Sequence, residues 1–364
     1  MATIRRRQKP YEDYGRQKVD EQLKDLESRL SVMYAKTGKE LTQDLDRFLT
    51  RYAGADTLKR EQFERGEISE SDYTNWRQRQ IFRSDLMKAK IDDLSQKMAN
   101  ADKEAMSMVN GELPQAYATS YNWGGFRGET MAQAAGYDYT QFTIVNADAV
   151  RILAQENPDL IPWKPVPDNK KDKAWNKKHI QAAVQQGIVK GESMDKIAKR
   201  LLPIVNMDKN AAIRTARTAV TGVENKGRKD ATERVREAGI PMVEVWSCTH
   251  DQRTRDTHIL LDGTEPNEQG YYGEGILDTP IQYPADPSGD PEEIYNCRCG
   301  TLSMIKGIDH SKDQDLYEQF MSENYEEDWE KVKEKRSTKE QIFQSKKANA
   351  PERVEKRRQR RRKA

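Results

Sequence analysis

WSCTHDQRTRDTHILLDG (Trp246–Gly263), followed after a Gly/Pro/Asp-rich run by YNCRCG (Tyr295–Gly300), is the stretch on which the fold of this chain turns. The residues leading into it, MVEVWSC (Met242–Cys248), alternate and are β-branched, which predicts a strand. CGTLSMI (Cys299–Ile305) predicts a second strand. Between them a helical turn is expected over 253–261 and a tight turn at Asp262-Gly263. Residues 264–295 carry five prolines and four glycines and read as surface loop. The span from Val245 to Cys299 holds all three cysteines and two of the four histidines, with Asp251, Arg253, Arg255 and Asp256 interleaved.

Three chemistries suit that concentration. Cys248, His258, Cys297 and Cys299 are a set of soft and borderline ligands for zinc, and a long loop without regular structure gains from a metal staple. Cys-x-Cys is a less usual zinc spacing than Cys-x-x-Cys, so the same residues also read as small buried apolar side chains around a core histidine, or as a disulfide or redox pair. Asp251, Arg253, Arg255 and His258 read in turn as an acid/base and phosphate-binding group of an enzyme acting on nucleic acid or nucleotide. No Gly-rich phosphate loop or nucleophile elbow accompanies them, and Arg/Asp clusters beside a strand commonly order a loop through ion pairs.

Working outward, helices are expected over 174–187, 194–202 and 209–238, the last stopped by Gly239 and Pro241. Its segment AIRTARTAVTGVENKGR (Ala212–Arg228) carries Arg217 and Glu224, placed either to lock the helix against the Asp/His cluster or to form an exposed charged face. Further upstream, Val19, Leu23, Leu26, Leu30, Met33, Leu41, Leu45, Phe48 and Leu49 recur at helical spacing, as one long helix or a pair broken near Gly38. A second block starts at a Ser69 or Ser71 cap and runs to Val109, with NGELP (Asn110–Pro114) as a break and YATSYNWGGF (Tyr117–Phe126) as a connector. Residues 142–160 read as a short strand and then a helix, and IPWKPVPDNKKDK (Ile161–Lys173) as a linker.

The chain has 364 residues, of which 35% are hydrophobic and 34% charged, with a mean hydropathy of −1.00. Long helices with large solvated surfaces are expected from that composition. No apolar run approaches the ~20 residues that span a bilayer, and the start lacks the apolar centre of a secretory signal. An odd number of cysteines suits a reducing compartment. Net charge is only +2, yet VEKRRQRRRKA (Val354–Ala364) holds seven basic side chains and one acid. Arg357, Arg358, Arg360, Arg361, Arg362 and Lys363 are therefore candidate phosphate contacts, with a solvated, disordered tail as the plain alternative.

The order of these features resembles the head-morphogenesis, or minor capsid, proteins of the Mu F type found in tailed bacteriophages. The resemblance rests on Ala216, Arg217, Thr218, Asn225, Gly227 and Arg228; on Trp246, Asp251, Arg253, Thr254, Arg255, His258, Leu261, Asp262 and Gly263; and on Asn296, Cys297, Arg298 and Cys299. It covers about residues 174–305. Ala219 departs from the glutamate that many members carry. The resemblance implies a non-enzymatic virion protein, present in few copies, assembled in the host cytoplasm and located at the portal vertex inside the head. Its implied partners are the portal protein, capsid or scaffold proteins and packaged double-stranded DNA, with no membrane. The expected architecture is α+β: a long helical region at 1–160, a small mixed domain at 174–305, and a charged helix with a basic disordered tail at 306–364.

Overall fold

The computed structural model describes residues 14–140, 142–162, 169–249, 251–306 and 326–363. The chain is α+β and mostly helical. Its elements are α1 (Tyr14–Glu64), α2 (Glu70–Arg77), a π-turn (Gln78–Phe82), α3 (Asp85–Ala134), α4 (Ala147–Glu156), α5 (Asn169–Val189), α6 (Met194–Lys199) and α7 (Leu201–Glu237). These are followed by β1 (Met242–Ser247), α8 (Asp256–Leu261), α9 (Pro291–Ile294), β2 (Gly300–Ile305) and α10 (Glu326–Lys363). Among the described residues no helix is long and apolar enough to cross a membrane.

The chain forms two compact units that interleave along the sequence. One takes residues 1–23, 112–164 and 217–364; the other takes 24–111 and 165–216. In the second unit, α1 is a single helix with Leu26, Leu30, Leu41, Leu45 and Leu49 on its buried stripe. Gly38 does not break it. A Cβ there would stand 3.3 Å from Leu202 and 3.4 Å from Val205, so the missing side chain lets α7 approach. Ser69 caps α2 through a capping box with Asp72. Arg77 is fully buried, 2.9 Å from Asp56, and donates to the carbonyls of Ile188 and Glu192.

The break expected at NGELP is absent. α3 continues through Pro114, and Tyr117–Phe126 is helix rather than connector. Pro114 forgoes one hydrogen bond, but Leu113, Ala116 and Tyr117 keep a buried stripe going, and tertiary burial outweighs the local penalty. The strand expected after residue 142 is likewise missing: α4 starts at Ala147 behind an Asn146 cap, and the preceding residues form no ladder.

The first unit holds the one sheet among the described residues. β1 and β2 pair antiparallel, from Met242 opposite Ile305 to Ser247 opposite Gly300. Met242 and Ile305 pack with Val235, Ile240, Ala132 and Tyr139. A Cβ on Gly227 would meet the Tyr117 carbonyl at 2.7 Å, so that glycine is required by the close approach of α3 and α7. Residues 354–363, expected as disordered tail, are the end of α10. Phe343, Ala350 and Val354 give that helix a buried face that its high charge conceals in the sequence.

Candidate metal centre

The centre is built where β1, α8 and the turn before β2 meet α7. Thr218 accepts the Asn296 N–H at 3.0 Å, and Asn296 adopts φ 54°, the left-handed conformation that asparagine tolerates. The Asn225 amide donates to the carbonyls of Thr221, Pro284 and Cys299 at 2.9, 3.1 and 3.1 Å. Arg228 donates to the Thr301 carbonyl at 2.9 Å and lies 3.4 Å from Glu224. α7 thus fixes the backbone on both sides of Cys297 and Cys299. Glu224 pairs with Arg228 on its own helix.

The loop after β1 is fixed by Asp251. Its carboxylate accepts from the Arg253 and Thr254 N–H groups and from both arms of Arg298, at 2.6 and 3.0 Å. The Arg298 guanidinium, with those N–H donors, holds the Asp251 carboxyl down at about 2. Thr249 and Arg16 donate to the Arg298 carbonyl, and Arg255 donates to that of Tyr295.

Inside this frame His258 is buried. Trp246 meets its ring edge-on at 5.3 Å. Nδ1 of His258 faces two sulfurs, Cys299 Sγ at 3.4 Å and Cys297 Sγ at 3.7 Å. These three ligand atoms lie within 4.8 Å of one another. On the other side of the ring, Glu293 Oε2 is 3.3 Å from Nε2, close enough for an ion pair but out of line for a hydrogen bond. Glu293 also accepts from Thr257 at 2.8 Å. Burial opposes charge on His258, but Cys297 and Glu293 outweigh it and carry the imidazole up to about 9. The Cys299 thiol and the His258 ring hold Cys297 well below the ordinary thiol range. Burial and the neighbouring Cys297 charge push Cys299 up. All three cysteines are thiols, not disulfides.

A family model for Phage Mu protein F like proteins matches residues 178–302, the segment that contains α7, the Asp251 loop and this cluster. Over that segment the chain is similar to the Phage Mu protein F like proteins. Two relatives extend the comparison. The chain is 24% identical over 294 residues to Minor head protein GP7 of Bacillus phage SPP1, covering 79% of this chain and 85% of that protein. It is 29% identical over 143 residues to the NAD(+)--arginine ADP-ribosyltransferase EFV of Enterococcus faecalis, covering 38% of this chain but only 28% of that protein. No solved structure matches.

Within the Mu F-like region the structure sorts the residues singled out from sequence. It brings together His258, Cys297 and Cys299 and leaves Cys248 outside their group. The Cys248 N–H is bonded to Asp262 at 3.0 Å, and burial and that carboxylate push its thiol up. The four residues expected as an acid/base and phosphate group do not share a site. Arg253 is exposed, Asp251 is committed to Arg298, and His258 is sealed behind Trp246. Glu293 was missed in the sequence because it lies in a loop-like PEEI segment. Its signal was an acid four residues before Cys297 at the start of a Pro-initiated turn.

The candidate phosphate contacts on α10 also have partners. Arg357 pairs with Glu292 at 2.5 Å and with Glu293 at 3.3 Å. Arg361 pairs with Asp278 and Glu292, and Arg358 donates to the carbonyls of Gly275 and Ile276. Arg360 and Arg362 are exposed. The Lys363 side chain lies outside the described residues.

Proposed function

We propose that this chain is a phage minor head protein, seated at the portal vertex inside the head, that aids procapsid assembly and the packaging or release of DNA. The observation that carries this reading is the alignment to SPP1 GP7, which runs through most of both chains. A structural rather than enzymatic role agrees with the burial of His258 and with an Asp251 already engaged by Arg298. The portal protein and capsid or scaffold proteins are its partners. Packaged DNA is met through the outer face of α10, where Arg360 and Arg362 face solvent, and phosphate contacts there release counterions.

The test uses the full chain, because the two units interleave and a cut near residue 160 would dismantle both. Co-expressed with the portal protein of its own phage, the chain is expected to co-migrate with portal rings and with procapsids. Rings and procapsids that form normally and carry none of it defeat the reading. For DNA, Arg360→Ala and Arg362→Ala are each expected to lower the salt dependence of binding by about one unit of slope. An unchanged slope removes DNA contact from the proposal and leaves the portal role standing.

A further inference from the structure

We infer that His258 Nδ1, Cys297 Sγ and Cys299 Sγ bind a zinc ion, with Glu293 holding the imidazole in the orientation the metal needs. The inference is independent of the portal reading. It rests on geometry. A tetrahedral zinc with Zn–S of about 2.3 Å and Zn–N of about 2.0 Å sets sulfur and nitrogen about 3.5 Å apart. The two observed separations, 3.4 and 3.7 Å, straddle that value.

Hydrogen bonding alone accounts for the arrangement less well. The Cys299 thiol also bonds Cys297, yet both sulfurs crowd Nδ1 at 3.4 and 3.7 Å, and a single ring nitrogen serves only one of them by hydrogen bonding. A cation satisfies all three atoms at once. The far side of the ring fits as well. Nε2 has no hydrogen-bond partner among the described residues, yet the Glu293 carboxylate stands 3.3 Å away and is itself fixed by Thr257. A carboxylate behind a metal-bound histidine is the arrangement that sets the tautomer and strengthens the ligand.

Burial decides between a metal and a reactive thiol. Cys297 is 1% exposed, Cys299 3% and His258 1%, so no substrate reaches them. What the site can do is fasten. Between α8 and β2 the described backbone has one isolated bridge, Tyr272 to Ile281, and the four-residue α9. A bond from α8 through zinc to the turn before β2 closes that loop at its base. Zinc takes four donors, so three protein ligands leave one position for a further donor.

Full-length protein purified without chelator should carry about one zinc per chain by elemental analysis. After the zinc is replaced by cobalt(II), sulfur-to-cobalt charge-transfer bands and the visible bands of a tetrahedral site should appear. Cys299→Ser should abolish those bands, and Glu293→Gln should weaken zinc about 10- to 100-fold while keeping the tetrahedral spectrum. Should a variant fail to fold, the wild-type metal content and cobalt spectrum still decide. Wild-type protein that carries no zinc, shows only the spectrum of aqueous cobalt and melts at the same temperature with chelator as with zinc overturns the inference.

Discussion

Asp251 and Arg298 form a two-pronged ion pair, at 2.6 and 3.0 Å, that ties the loop leaving β1 to the turn entering β2. The pair is about one-third exposed, so solvent weakens the charge attraction, and its main effect is to position backbone. Asp251 does a second task that Arg298 does not, by accepting the Arg253 and Thr254 N–H groups. Arg298→Ala should therefore cost about 1 kcal/mol, and Asp251→Ala about 2 kcal/mol, because it also strips two backbone donors of their acceptor. Urea unfolding of both variants checks the order. Equal losses would mean that the backbone bonds contribute nothing.

The buried pair in the other unit should behave differently. Arg77 is fully buried beside Asp56 and satisfies two carbonyl oxygens as well. Arg77→Met leaves two buried carbonyls without their donor and Asp56 with only the Tyr73 hydroxyl and the part-exposed Arg60, and should cost roughly 3 kcal/mol. The double variant Asp56→Leu with Arg77→Met should recover part of that loss, since removing both charges also removes their desolvation cost. A double variant as unstable as the sum of the two single changes would show that no such coupling exists.

How much of this was legible in sequence depends on what each residue was competing with. The strands at Met242 and Gly300, the Ser69 cap and the stripe of α1 were readable because local pattern and tertiary burial agree there. Pro114 was misread because its local preference is opposed by Leu113, Ala116 and Tyr117, whose burial depends on residues far away in the chain. His258, Cys297 and Cys299 could be chosen by residue type, but only the fold shows that Cys248, in the same buried cluster, lies outside their three-atom group and that Glu293 backs the ring. A charged helix was expected before the tail, but the continuation of α10 through 354–363 and its buried face were hidden by its charge. Among the described residues its three buried side chains are spaced over 343–354 among lysines and arginines, and acidic partners lie in a distant loop.

A buried acid cluster gives the 24–111 and 165–216 unit a pH dependence. Asp102 accepts from Tyr34 at 2.8 Å and from Asn176 at 3.2 Å, with Asp172 and Asp208 facing the same cluster. Burial raises Asp102 to about 6; burial and the Asp102 and Asp172 charges raise Asp208 to about 8. A carboxyl whose folded value is raised binds its proton more tightly when folded, so its contribution is complete below about pH 4. It is lost as pH rises through about 6 and then about 8. The melting temperature should fall between pH 5 and 9, and Asp208→Asn should flatten that fall and raise the value at pH 9. A wild-type profile that rises or stays level over this range contradicts the assignment.

Phe343 decides whether α10 stays on the Mu F-like region. Its side chain is 1% exposed and packs in one cluster with Trp246, Ile259, Leu261, Tyr272 and both cysteines of the candidate centre. Around it the charged contacts, Arg353 with Asp256 and Arg357 with Glu292, are largely solvent-facing and individually weak. Truncating a buried phenylalanine typically costs about 3–5 kcal/mol, which exceeds what those pairs can replace. Phe343→Ala should therefore release α10 locally and speed tryptic cleavage within 346–363 by ~100-fold or more. High salt alone should loosen the helix far less, because it screens the ion pairs and leaves the apolar contact intact. Release also frees Arg357, Arg358 and Arg361 from their acidic and carbonyl partners, so the variant should bind DNA more tightly and with a steeper salt dependence. Faster cleavage with unchanged DNA affinity would confine phosphate contact to the outer face at Arg360 and Arg362. Unchanged cleavage would mean that the ion pairs, and not Phe343, hold the helix.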